Sequence, residues 1–236
     1  MVTTLIVTML AAAAMQDTPS QPPATQPAAT APAEADLAAN QLDGRELARR
    51  LFVASGGETL DTVERIKFTF NVEVDGQNRL AASHDWNLEA GTDRITVNGE
   101  TTEVDLNSPG DTEAAKRAFA RWTNDSYWLI APLKFMDAGV DYGPVMATRD
   151  IPPSRARVTI SFDGVGLTPG DQYDLAVNLR NDRLEHWTYR PNADTAVGFT
   201  WEDYQDFNGL TLATNHVSDD GKRRIYFTDV EVIRSE

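Results

Sequence analysis

The chain has 236 residues, 41% of them hydrophobic, with 21 Lys and Arg against 36 Asp and Glu for a formal charge of −15, and it has no cysteine. A surface this acidic repels phosphate backbones and anionic membranes, which excludes nucleic acid as a partner. Without cysteine there is no disulfide framework, thiolate zinc site, cysteine nucleophile or acylated cysteine anchor.

The opening segment MVTTLIVTMLAAAAMQ is apolar over only about 14 residues, short of the roughly 20 that a spanning helix needs. Ala12-Ala13-Ala14 offers the small-residue cleavage site of an export signal, although no Lys or Arg precedes the apolar run. Residues 1–14 are therefore expected to be a signal peptide, which makes the protein periplasmic or otherwise exported, with no transmembrane span once mature. Residues 15–36, dominated by Pro, Ala, Thr and Gln, cannot bury enough apolar area to offset their ordering entropy and read as a disordered linker. Only Asp17, Glu34 and Asp36 are charged before residue 37, so residues 37–236, enough for one domain with a substantial core, carry −12.

In that domain Asp43 is placed to cap a short helix, DGRELARRLFVA, whose Leu47, Leu51 and Phe52 share a face, and Gly56-Gly57 ends it. Next, in IKFTFNVEV, Ile66, Phe68, Phe70, Val72 and Val74 alternate with polar residues, the mark of a strand with one dry face. The pattern recurs in HDWNLEA, RITV, RVTISFD, QYDLAVNLR, RLEHWTYR, VGFTWEDY, LTLATNHV and RRIYFTDVEVI. Asn98-Gly99, Asn181-Asp182, Asn208-Gly209 and the step around Gly221 have the composition of hairpin turns. One break interrupts the strands. DTEAAKRAFARW, opening at Asp111, carries Ala115, Ala118, Phe119 and Trp122 on one helical face, and SYWLIAP is expected as a second short helix, capped by Asp125 and stopped by Pro132. The fold class is α+β: a curved antiparallel sheet forming an incomplete barrel of about ten or eleven strands, with helices packed against its concave face. An outer-membrane barrel is disfavoured by the central helical segment and by strands mostly shorter than the roughly 9 to 11 residues required.

Catalytic and metal chemistry finds little to build on. His84 and Asp85 are strand neighbours on opposite faces and cannot form a dyad with each other. His186 and His216 could approach across the sheet and hold a metal with an acid, but neither His-x-His nor His-Glu-x-x-His spacing occurs, so solvated strand histidines are preferred and no metal is expected. Ser55-Gly56-Gly57 lacks the frame of a nucleophile elbow and reads as a helix stop. Asp163, Asp171 and Asp174 do not follow EF-hand spacing and read as loop acids. Asn124-Asp125-Ser126 matches a glycosylation triplet by coincidence.

Three stretches carry a resemblance. ASGGETLDTVERIKF, RWTNDSYWLIAPLKFMDAGV and TWEDYQDFNGLTLAT resemble the periplasmic lipoprotein-carrier superfamily, the LolA/LolB-like proteins, in an outer-membrane lipoprotein-sorting-protein-like branch, over about Leu42 to Ile233. The resemblance implies an incomplete antiparallel barrel closed by a helical lid, with an apolar cavity that shelters acyl chains. The arginine with which these carriers hold the lid shut matches no one position here. LolB-like members are acylated at a cysteine that this chain lacks, so the soluble LolA-like form fits better.

The aromatic stretch WTNDSYWLIAPLKF then has two readings. Trp122, Tyr127, Trp128, Leu129, Ile130 and Phe135 are either ordinary core or, with Phe68, Phe70, Trp86 and Leu88 on the facing strands, the wall of a ligand cavity. Burying an acyl chain gains about 0.8 kcal/mol per methylene, so such a wall can hold a lipid without covalent chemistry. If Trp128 lines an open cavity, truncating it costs little stability, whereas at a filled core position the same change costs about 3 to 5 kcal/mol. The function expected is a non-enzymatic, cofactor-free exported binding protein for a lipid or acylated lipoprotein, served by a membrane-associated donor or acceptor protein. The alternatives are an exported enzyme on the open side of the sheet and a scaffold with a filled core.

Overall fold

The computed structural model of the chain describes residues 42–146, 155–162, 170–192 and 194–235. The signal peptide and linker expected over residues 1–36 lie outside these residues, as does Asp163.

Helix α1, Gly44–Ala54, starts where the sequence places it: the Asp43 carboxylate accepts the Glu46 amide at 2.7 Å, satisfying a donor the first turn leaves free. Leu47, Ala48 and Leu51 are buried, and Gly56 in the left-handed region (φ 83°) ends the helix before a 3-10 turn over Gly57–Thr62. That glycine is required twice over, because a Cβ there would stand 2.0 Å from the Gly209 carbonyl oxygen.

Twelve strands follow among the described residues: β1 Val63–Val74, β2 Gln77–Asn87, β3 Thr92–Val97, β4 Glu100–Asp105, β5 Val140–Tyr142, β6 Arg155–Phe162, β7 Gln172–Asn178, β8 Arg183–Asn192, β9 Thr195–Thr200, β10 Glu202–Phe207, β11 Leu210–Val217 and β12 Arg223–Arg234. They form a seven-stranded sheet in the order β10-β11-β12-β1-β2-β3-β4 and a five-stranded sheet in the order β5-β6-β7-β8-β9, antiparallel at every junction. A bridge between Phe199 and Ser218 and the Asp219 amide on the Gly198 carbonyl (3.1 Å) tie the two sheets edge to edge. Asn98-Gly99 and Asn208-Gly209 both have positive φ at each residue, the geometry that the right-handed twist of a tight hairpin demands. Between Lys67 and Thr69 the pairing of β1 with β12 slips, and Asp229 with φ 54° marks a bulge that increases local twist.

The stretch VGFTWEDY is not one strand. It is divided at Trp201, where β9 leaves the five-stranded sheet and β10 joins the seven-stranded one. Nor are there two central helices. Helix α2, Glu113–Lys134, is continuous over 22 residues, capped by Thr112, whose hydroxyl accepts the Ala115 amide at 3.2 Å. Asp125 is no cap, since its carboxylate is taken by the sheet, and Pro132 lies inside the helix. A proline there costs the hydrogen bond to the Trp128 carbonyl. The buried imidazole of His216 packs beside the Trp128 indole, with ring centroids 5.3 Å apart.

From Asp125 to Leu133 every residue of α2 is buried, the signature of a helix enclosed on all sides. It lies between α1 and the concave sheet, and its aromatic rings meet those of β7, β8 and β9.

Candidate functional site

The aromatic segment of α2 is where the two sheets and the helix converge. Trp128, 2% exposed, has ring centroids at 4.8 Å from both Trp187 and Phe199 and at 5.3 Å from His216. Tyr127, one position along and therefore about 100° round the helix, meets Trp187 at 5.8 Å and Tyr173 at 6.1 Å. Pairs at these distances add to area burial through quadrupole attraction.

The residues expected to form one wall divide into two groups. Phe68, Phe70, Tyr127, Trp128, Leu129 and Phe135 are buried in the main core, with Leu88 half-buried against it. Trp122, nearer the N-terminal end of α2, instead joins Ile95, Val104 and Leu106 in a smaller cluster on which Trp86 and Phe119 pack, Trp86 at 5.3 Å from Trp122. The rings nearest Trp128 come from β8 and β9, with His216 of β11, rather than from β1 and β2. The signal for them is the same alternation that marks the strands, but Trp187 and Tyr189 in RLEHWTYR share a face with Leu184 only because the pairing of β7 with β8 slips between Ala176 and Val177.

A second constellation is not apparent from the strand and helix patterns taken singly. His84 is buried on β2, with Nδ1 2.7 Å from Asp93 Oδ2 on β3 and Nε2 3.2 Å from Asp125 Oδ2 on α2, and none of the three side chains reaches solvent. Phe68 of β1 stacks on the imidazole at 4.5 Å with an 11° interplanar angle. Asn124 Nδ2 donates to the other Asp125 oxygen at 2.8 Å, and Arg121 reaches Oδ2 at 3.4 Å from the half-exposed side of the helix. Burial alone would pull the His84 pKa down, but the hydrogen bonds and charges of Asp125 and Asp93 outweigh it and raise it to about 8. At neutral pH the ring is therefore an imidazolium donating to both carboxylates, a polar clasp between sheet and helix. Its clue lies in the alternation of TDRITV, which puts Asp93 on the dry face of β3 with Ile95, and in helical spacing, which puts Asp125 on the face shared by Trp122 and Leu129.

The remaining candidates find local partners. Asp85 points the opposite way from His84, as expected, and pairs with Arg65 at 2.7 Å. His186 Nε2 lies 2.7 Å from Asp219 across the sheet junction. His216 is buried with Nδ1 3.1 Å from the Thr200 carbonyl, and burial lowers its pKa to about 3, so the ring is neutral. Asp171 accepts from the Tyr189 hydroxyl at 3.0 Å and Asp174 from Thr159 and Arg190 at 2.7 Å each. Among the described residues no group of three or more His, Asp or Glu is arranged to hold a metal ion, and no helix is long and apolar enough to cross a membrane.

Two antiparallel sheets joined at one edge and packed on a helix buried over its C-terminal half, with a short N-terminal helix beside it, make a LolA-like fold. The structure of the LolA superfamily protein NE2245 from Nitrosomonas europaea superimposes with a TM-score of 0.50 over 80% of this chain and 94% of that one, at 8% identity. Also similar are a DUF1329 family protein from Desulfovibrio piger (TM-score 0.46, 9% identity, 80% and 91% coverage) and an outer membrane lipoprotein-sorting protein domain from Vibrio parahaemolyticus (0.45, 7%, 80% and 92%). No family model and no curated protein matches the sequence. The likeness is one of fold.

Proposed function

We propose that the protein is an exported, soluble binding protein that shelters a lipid or lipoprotein acyl chain between α2 and the concave sheet, and that it is a carrier rather than an enzyme. The observation that carries the reading is the aromatic seam itself: a helix buried all round from Asp125 to Leu133 packs on the five-stranded sheet through the rings of Tyr127, Trp128, Tyr173, Trp187 and Phe199. Displacing that one helix would expose a continuous apolar wall. At about 0.8 kcal/mol per methylene, an acyl chain of ten buried methylenes supplies about 8 kcal/mol to replace the lost helix contacts. The LolA superfamily fold supports the reading, and so does the export signal expected over residues 1–14. The buried acid–base constellation at His84 is closed to solvent and fits a structural clasp. The carrier needs no cofactor. It would receive its cargo from, or deliver it to, a membrane-associated protein.

Native mass spectrometry of protein purified without detergent tests this directly, with a co-purified lipid as the expected result. Binding of a fluorescent fatty-acid probe to delipidated protein is the second measure. A protein that carries no lipid and takes up no apolar probe would be the scaffold with a filled core instead.

A further inference from the structure

The seam is not uniformly apolar. From β7 to β11 a row of rings crosses the concave face, with centroids 5.0 Å apart for Tyr173 and Trp187, 4.9 Å for Trp187 and Trp201, and 4.4 Å for Trp201 and His216. Tyr127 of α2 closes against Trp187 and Tyr173. Tyr127, Tyr173, Trp187 and Trp201 are 1%, 0%, 0% and 3% exposed, yet both tyrosine hydroxyls and both indole N–H groups have no hydrogen-bond partner. A folded protein leaves few buried polar atoms unpaired, because each forfeits its hydration without replacement. Four in one continuous ring contact mark a place built to meet polar atoms of something else.

We propose that this row receives the polar end of a bound amphiphile, and that this end is an uncharged hydrogen-bond acceptor such as an ester carbonyl or a hydroxyl oxygen. The inference rests on the carrier reading and adds to it where the ligand's head sits and what it is. An indole only donates, a phenol donates as readily as it accepts, and the unpaired Nε2 of His216 accepts because Nδ1–H is given to the Thr200 carbonyl, so the row asks mainly for acceptors and, at its His216 end, for a hydroxyl donor. Burial pushes both tyrosine pKa values far above their ordinary range, which keeps the hydroxyls protonated.

The charges around the row exclude an ionic head. Asp171 accepts from Tyr189, Lys134 is paired with Asp137 at 2.5 Å, and His216 is neutral. A carboxylate or phosphate would thus be buried beside two acids with no free cation among these groups, and a buried unpaired charge is far costlier than a buried ester. A cationic head would face the indole and phenol donors, while the two nearby acids are already engaged by Tyr189 and Lys134.

The test compares three probes of equal chain length on delipidated full-length protein at pH 7.5: a monoacylglycerol, the corresponding fatty acid, and a neutral alkyl fluorophore without a polar end. Tyr127→Phe and Tyr173→Phe keep the rings and remove only the hydroxyls. The wild type should bind the monoacylglycerol at least about tenfold more tightly than the fatty acid, and each variant should lose about tenfold for the monoacylglycerol while binding the alkyl probe unchanged. Because the lost hydroxyl is unpaired in the free protein, each variant should also melt higher than the wild type in the absence of ligand. Variants that melt lower and leave the probe preference unchanged would overturn the proposal, as would a wild type that binds the three probes alike or prefers the fatty acid, and in those cases the carrier reading stands. A wild type that binds none of the three would overturn both.

Discussion

The clasp at His84 makes the stability of this protein depend on pH in a direction that can be worked out. His84 goes from its ordinary value of 6.5 to about 8 in the folded state, because Asp93 and Asp125 hold its charged form more strongly than burial opposes it. The folded protein therefore binds more protons than the unfolded chain between those two values. The stabilisation is fully present below pH 6.5 and is lost as pH rises through about 8. The distance between the two values corresponds to about 2 kcal/mol, which for a domain of this size is a fall in Tm of about 4 to 8 °C. The groups facing the ring are Asp93 on β3, Asp125 and Arg121 on α2, and Phe68 on β1, so no other histidine shares the site. His216, already neutral at a pKa of about 3, contributes nothing in this window. Differential scanning calorimetry at pH 6, 7, 8 and 9 would follow the wild type against the double variant His84→Gln/Asp93→Asn, which removes one cation and one anion together and leaves Asp125 to Asn124 and Arg121. The wild type should lose its advantage over the double variant as pH rises from 6 to 9. Parallel curves would show that His84 does not carry a proton in the clasp and would refute the charge assignment.

Other perturbations have equally definite outcomes. Trp128→Ala should cost about 3 to 5 kcal/mol in urea unfolding whether or not the helix later moves, because the closed form already contains the ring contacts; the milder Trp128→Phe should keep the fold and weaken uptake of the fatty-acid probe. Gly56→Ala should cost more than about 2 kcal/mol, since it combines a left-handed backbone with a Cβ 2.0 Å from the Gly209 oxygen, and a neutral result by the same assay would mean that α1 can shift away from β11. A chain starting at Leu37 should unfold within about 1 kcal/mol of one starting at Met15, because α1 is capped within itself at Asp43.

Much of the fold is legible in the sequence because its strands have one dry face. The alternation of Ile66, Phe68 and Phe70 and the Asn-Gly turns are local signals, and they survive folding unchanged. Strands with too little apolar content to alternate stay hidden. β4, ETTEVD, buries only Val104, and β10, EDYQDF, buries none of its residues, because each is an edge strand with one side open. Trp201 reads as mid-strand because its neighbours alternate smoothly, and only the exchange of sheets at that residue separates β9 from β10.

The central helix is illegible for a related reason, and the features that disguise it are the ones that build the site. Asp125 and Pro132 have the local chemistry of a cap and a stop, and a sequence weighs such residues by their nearest neighbours. In the folded protein tertiary packing overrides both: Asp125 is bound by His84, which is 41 residues away, and the helix runs on through Pro132 because the segment around it is buried on all sides. A helix clasped at Asp125 over a ring surface whose own polar atoms are unpaired leaves those atoms free to pair with whatever replaces it. A core stabilised only by apolar packing offers no such exchange, which is why the polar atoms of the seam, more than its aromatic area, favour a binding protein over a filled scaffold.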